Sequence, residues 1–129
     1  MPQSIEELYN TFFVVGHRGA SAYEPENTVR SIRRAFEMGA DAVEVDARVS
    51  KDGHVVIIHD ETVDRTTNGT GLVSELSLEE IRALDAGKGE KIPTLQEVLE
   101  EIRGKGCLFL EIKVDEAAVP SLSLVESME

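Results

Sequence analysis

The stretch AVEVDARV, residues 42–49, decides how this chain folds. In a strand, residues two apart share a face, and β-branched valines suit a buried pleated surface. Val43 and Val45 therefore face one way, while Glu44 and Asp46 face the other. Two carboxylates side by side on the opposite face of such a strand need a reason. Buried without partners, they cost several kcal/mol or take up protons.

Working outward from this strand, the pattern predicts a strand over Phe12–Val15, a loop GHRGASAYEPE (16–26) and a helix from about Asn27 to Met38. Asn27 or Thr28 can cap that helix, Val29, Ile32, Ala35 and Phe36 form its apolar stripe, and Gly39 stops it. On the other side, Asp52-Gly53 makes a turn and Val55–His59 a third strand. The polar, Gly/Thr-rich residues after His59 read as an excursion from the core, a small insertion spanning 60–91. Within it Ser77 opens a short helix through Leu84, with Glu80 completing a capping box. Thr94 caps a helix bearing Leu95, Val98, Leu99 and Ile102, ended by Gly104, and Cys107–Val114 is a fourth strand. The tail from residue 115 allows a short helix before Pro120. The order β-α-β-β-excursion-α-β predicts an α/β protein with a mostly parallel sheet.

The fourth strand repeats the alternation of the second. Leu108, Leu110, Ile112 and Val114 make one face, and Phe109, Glu111 and Lys113 the other. Both faces of a parallel sheet are normally covered, so these charges are expected in a protein-lined cavity. A cation resolves the conflict, since carboxylates from neighbouring strands suit a hard metal ion. The competing reading puts Glu44 and Asp46 on a wet edge strand or pairs them with Arg18, Arg48 or Lys113. The company they keep favours a site: His17 and Arg18 follow the first strand, and His59 with Asp60 closes the third. Catalytic groups gather at the C-terminal ends of strands in parallel α/β folds.

Composition bounds the function. The chain has 129 residues, 41% of them hydrophobic and 29% charged, enough for one ordinary domain. Its 13 Lys+Arg against 25 Asp+Glu give a formal net charge of -12, which argues against a nucleic-acid partner. An anionic substrate would need local cations or a metal. With no long apolar span and no secretory pattern at the N-terminus, the chain reads as soluble and cytoplasmic, without a membrane anchor. Its single cysteine, Cys107, is expected as a buried thiol within CLFLEIKV. Asn68-Gly69-Thr70 reads as a turn rather than a glycosylation site, and His54 as a surface residue.

The motifs HRGASAYEPENT (17–28), GADAVEVDARVSKDGHVVIIHDETVDRTTNGTG (39–71), IPTLQEVL (92–99) and LFLEIK (108–113) resemble the glycerophosphodiester phosphodiesterase family, almost without gaps over residues 14–113. The resemblance implies a TIM-type (β/α) barrel and metal-dependent hydrolysis of glycerophosphodiesters to sn-glycerol 3-phosphate and an alcohol, within lipid and glycerol metabolism. It implies Glu44, Asp46 and Glu111 as ligands of a divalent metal, magnesium or calcium. It also implies His17 and His59 as the catalytic acid/base pair, and Arg18 and Lys113 as phosphate contacts. Glu26 and Asn27 are expected to order the His17 loop. A related phosphodiesterase acting on lysophospholipids or phosphoinositides is a further alternative.

A complete (β/α)8 barrel takes about 250 residues, and the stretch present resembles the N-terminal half of the family domain, about four of eight strands. The expectation is a partial barrel that self-associates, a homo-oligomer completing the barrel, with a weak or inactive fragment as the alternative to a working enzyme. Two arrangements of strands two and three fit. A tight hairpin would set Asp46 opposite His59, and a parallel pairing, which the family's barrel favours, would take residues 47–53 down outside the barrel.

Overall fold

The computed structural model describes residues 14–127. In chain order the elements are β1 (Val15–His17), α1 (Val29–Glu37), β2 (Ala42–Val49), β3 (Val55–Ile57), α2 (Leu78–Arg82), α3 (Leu95–Ile102), β4 (Cys107–Ile112) and α4 (Ala118–Ser127). Single 3-10 turns at Val73–Glu75 and Asp115–Ala117 precede α2 and α4. β1 runs later than the predicted Phe12–Val15, whose first residues lie outside the described part of the chain.

Each helix start follows from its first residues. Thr28 caps α1, accepting from the Ser31 backbone N–H at 3.1 Å, while the Ser31 hydroxyl accepts from Thr28 N–H at 3.2 Å. Ser77 with Glu80 and Thr94 with Glu97 build the same reciprocal box at α2 and α3. The tail helix α4 does not stop before Pro120, as the sequence suggested, but passes through it. Pro120 is its third residue, where a backbone N–H has no intrahelical partner to lose.

β2 is the centre of a four-stranded mixed sheet. β4 runs parallel along one edge of β2 from Ala42 to Ala47. The other edge is shared: β1 pairs parallel with Ala42–Glu44, and β3 pairs antiparallel with Ala47–Val49. The expectation of a parallel third strand is therefore wrong. Residues 50–54 instead close a hairpin, with Ser50 N–H donating to His54 O at 2.9 Å. Its register also sets Ile58, not His59, against Asp46. The alternation of apolar residues fixes which face each side chain takes but not strand direction, and the run Val55-Val56-Ile57-Ile58 serves either way.

The hairpin has a geometric consequence. β1 ascends and β3 descends along the same edge, so their C-terminal ends meet beside the middle of β2. There Arg18 N–H donates to Glu44 O at 2.7 Å and Ile58 N–H to Asp46 O at 3.0 Å.

One face of the sheet carries Val43, Val45, Ala47, Val55 and Ile57, packed with Ile32 and Ala35 of α1 and Leu95, Val98 and Ile102 of α3. α1 lies so close to β1 that a Cβ on Gly16 would stand 2.9 Å from the Ala35 methyl. On the opposite face, Val56 and Ile58 pack under the excursion with Val63, Val73, Ile81, Ala86 and Ile92. Asn68 ties that excursion together, its side-chain oxygen accepting from Asp85 N–H at 3.0 Å, so the residue serves a turn. The excursion covers only one end of this face. Toward the other end Phe109 and Val15 are about half exposed, and Cys107, expected buried, is exposed for the same reason. His54 is a surface residue, as expected. Among the described residues no helix is long and apolar enough to cross a membrane.

Candidate functional site: a carboxylate cluster ringed by histidines and cations

The strand register brings the three carboxylates together. Asp46 sits opposite Glu111 across the β2–β4 pair, and Glu44 precedes Asp46 by two residues on the same face. One oxygen from each of Glu44, Asp46 and Glu111 lies within 4.8 Å of the others. The side chains span a gradient from depth to solvent: Asp46 is 1% exposed, Glu44 18% and Glu111 54%. The cavity expected around them is thus walled on the sheet side and open above Glu111.

Electrostatics set a demand for positive charge. Burial first, then the Asp46 charge, then contact with Glu111 push the Glu44 carboxyl up to about 7. Glu111 is shifted down, chiefly by the Lys113 ammonium at 3.0 Å. Two cations stand by: Arg18 Nε lies 3.6 Å from Asp46 Oδ2, and Lys113 Nζ lies 3.9 Å from Asp46 Oδ1. These contacts are two of the pairings that the competing reading of the sequence anticipated, yet they leave oxygens over. Glu44 Oε1 and Asp46 Oδ1 are buried without a hydrogen-bond partner. Two of the three converging carboxylates thus carry an orphaned oxygen, and carboxylate oxygens gathered in this way are hard donors, so the triad can hold a divalent metal ion.

The loop after β1 serves the cluster from beneath. Arg18 and Asn27 both adopt left-handed backbone conformations, φ 54 and φ 56, joined by Asn27 N–H donating to Arg18 O at 2.9 Å. The Asn27 amide donates to Asp46 Oδ2 at 3.0 Å, so Asn27 orients a carboxylate of the cluster as well as ordering the loop. Glu26 accepts from Arg18 Nη1 at 3.2 Å.

The histidines differ in how they are held. His17 is 67% exposed, and its Nε2 lies 3.7 Å from Glu44 Oε1. His59 is anchored: its Nδ1 is 2.7 Å from Asp60 Oδ1, and its carbonyl accepts from Arg48 Nε at 2.9 Å. Asp60 in turn pairs with Arg65, which also reaches Glu26. Of the residues the sequence assigned to a site, His17, Arg18 and Lys113 lie directly against the three carboxylates, and His59 follows the strand end that pairs with Asp46. The supporting role of Arg65 was not legible, because it depends on how the excursion folds back over the strand ends.

The chain thus carries a cation-ready carboxylate cluster, flanked by His17 and the cations Arg18 and Lys113, on one face of an α/β sheet. It matches the glycerophosphoryl diester phosphodiesterase family over residues 17–119 and belongs to that family. It is 55% identical over 108 residues to the glycerophosphodiester phosphodiesterase of Caldanaerobacter subterraneus, an alignment taking in 78% of this chain and 44% of the relative. The fold is similar to the crystal structure of glycerophosphodiester phosphodiesterase from Agrobacterium tumefaciens, with TM-score 0.85 and 42% identity, covering 92% of this chain and 54% of that one. It is also similar to an Oleispira antarctica phosphodiesterase in complex with the product sn-glycerol-3-phosphate, with TM-score 0.86 and 36% identity, covering 92% and 53%. The chain spans about half the length of these relatives, and among the described residues the sheet is mixed and does not close into a barrel.

Proposed function

We propose that this chain carries the reacting half of a metal-dependent phosphodiesterase that hydrolyses glycerophosphodiesters to sn-glycerol 3-phosphate and an alcohol. The observation that carries the reading is the convergence of Glu44, Asp46 and Glu111 within 4.8 Å beside Arg18 and Lys113. Glu44, Asp46 and Glu111 would hold a magnesium or calcium ion, which when bound supplies Lewis-acid neutralisation of phosphoryl charge. Arg18 and Lys113 bind the phosphoryl oxygens, against the repulsion of a chain with net charge -12. One of His17 and His59 takes the proton of the attacking hydroxyl as the new P–O bond forms. The other donates a proton to the departing alkoxide as the old P–O bond breaks. An imidazole suits both tasks because it exchanges protons near neutrality. Water and the substrate's own glycerol hydroxyl are both compatible nucleophiles for this pair.

The test is release of glycerol 3-phosphate from glycerophosphodiesters, with and without EDTA. The reading requires release that EDTA abolishes and that His17→Ala lowers by at least two orders of magnitude, about the contribution of one positioned acid/base group. Equal release by wild type and His17→Ala would sink it. A second reading, in which the chain acts only after associating with another copy, is favoured by the half-exposed Phe109 and Val15 on the site's own face. Activity that rises faster than in proportion to protein concentration would select it.

A further inference from the structure

We propose that Arg65 is a positioning residue for His59, gripping Asp60 and Glu26 with one guanidinium and so fixing which imidazole nitrogen is left free to exchange a proton. The inference rests on the reading of His59 as an acid/base group, and it concerns a side chain outside the carboxylate cluster. Arg65 Nε donates to Asp60 Oδ2 at 2.8 Å and Nη2 to Asp60 Oδ1 at 3.0 Å. The same side chain donates from Nη1 and Nη2 to the two Glu26 oxygens, each at 2.9 Å. Exposed ion pairs usually contribute little to stability, yet a planar fork bound two-pronged to two carboxylates is the geometry that adds directional constraint.

The constraint passes to His59 through Asp60. Arg65 first, and His59 second, hold the Asp60 carboxyl far below its ordinary range, so Asp60 is ionised and can only accept. The hydrogen in the 2.7 Å contact between His59 Nδ1 and Asp60 Oδ1 must therefore come from Nδ1. In neutral His59 that leaves the lone pair on Nε2. The other prong reaches the loop after β1, where Glu26 holds Arg18 at 3.2 Å and the neighbouring Asn27 holds Asp46 at 3.0 Å. One side chain thus joins the loops that follow β1 and β3, 39 residues apart in sequence at the Arg65–Glu26 contact.

Long-range 1H–15N correlation spectra of the labelled full chain report the tautomer of each neutral histidine, with exposed His54 as the internal reference. In wild type His59 should be the Nδ1–H form. In Arg65→Ala, Asp60 is free to turn into solvent, and His59 should move toward the Nε2–H form of a free imidazole. Arg65→Lys, a point charge without the planar fork that grips each carboxylate by two oxygens, should fall between the two. The kcat for glycerol 3-phosphate release should fall about tenfold or more in Arg65→Ala with KM within about twofold, the smaller part of what a positioned acid/base group contributes. A His59 signal in folded Arg65→Ala identical to wild type overturns the proposal. If Arg65→Ala does not fold, Arg65→Lys decides, and loss of folding in both makes Arg65 a structural tie and overturns it too. A wild-type chain without activity defeats the proposed function alone, because the tautomer still reports on Arg65.

Discussion

Glu44 shares a 4.8 Å neighbourhood with two other carboxylates and has a buried oxygen without a partner, so removing its charge should separate metal binding from folding. Glu44→Gln should weaken calcium or magnesium binding at least tenfold in calorimetric titration while leaving the metal-free protein as stable or more so, since like charges no longer crowd. Unchanged titration would count against the ligand set. Asn27→Gly retains the left-handed backbone and deletes the 3.0 Å bond to Asp46. Its metal affinity should fall by about 10- to 100-fold, the usual effect of losing a group that orients a ligand. The pH response of the metal-free protein follows from two shifts of opposite sign. Glu44 is raised from 4.5 to about 7, so its folded form holds the proton more tightly, and the stability it gives below 4.5 is lost as pH rises through 7. Asp60 is depressed below 3.8, so its contribution is present above that value and lost as pH falls further. Melting in EDTA should therefore peak near pH 4–5 as far as these two groups govern it, and a melting temperature that climbs steadily from pH 5 to 8 would contradict the assignment of Glu44.

At the scale of elements, the helices were legible because their capping residues act locally. Thr94→Ala removes the side-chain acceptor for Glu97 N–H at 3.2 Å and should cost about 1 kcal/mol in denaturant unfolding. Glycerol 3-phosphate release at permissive temperature should be unaffected, since α3 packs on the face of the sheet away from the carboxylates. The Val43/Val45 and Glu44/Asp46 division was equally legible, because pleating alone sends alternate side chains to opposite faces. The direction of β3 was not. Its four-residue apolar run is buried on both faces, by Val55 and Ile57 against the helices and by Val56 and Ile58 under the excursion. Such a run fits a parallel or an antiparallel neighbour equally well, and only the pairing with β2 decides which way it runs.

For the whole molecule, the balance of charge and exposure governs behaviour. Metal at about a hundred times its Kd should add about 2.7 kcal/mol to stability by mass action, read as a rise in melting temperature that EDTA reverses. An EDTA-insensitive melt would argue that the cluster binds nothing. Val15 and Phe109 are about half exposed on the site's face, and among the described strands β4 pairs only with β2. An edge left open among the described strands and half-exposed apolar side chains favour association, so light scattering should report a mass of at least two chains, and a strictly monomeric mass would exclude the associated reading.

The sequence by itself determined the helix starts, the two faces of β2 and β4, and the set of charged groups at the strand ends, because capping, pleating and charge burial depend on residues close together in the chain. Tertiary structure alone decided that β3 returns antiparallel, bringing the end that carries His59 to the end of β1 that carries His17. It also decided that Cys107 lies open and that Arg65 folds back to join Asp60 with Glu26. Those outcomes rest on contacts between distant segments, on which edge and which face each segment finds, and no local pattern encodes them. The opening pair, Glu44 and Asp46, belongs to both: alternation put the carboxylates side by side, and the parallel register of β4 supplied Glu111 to make them a site.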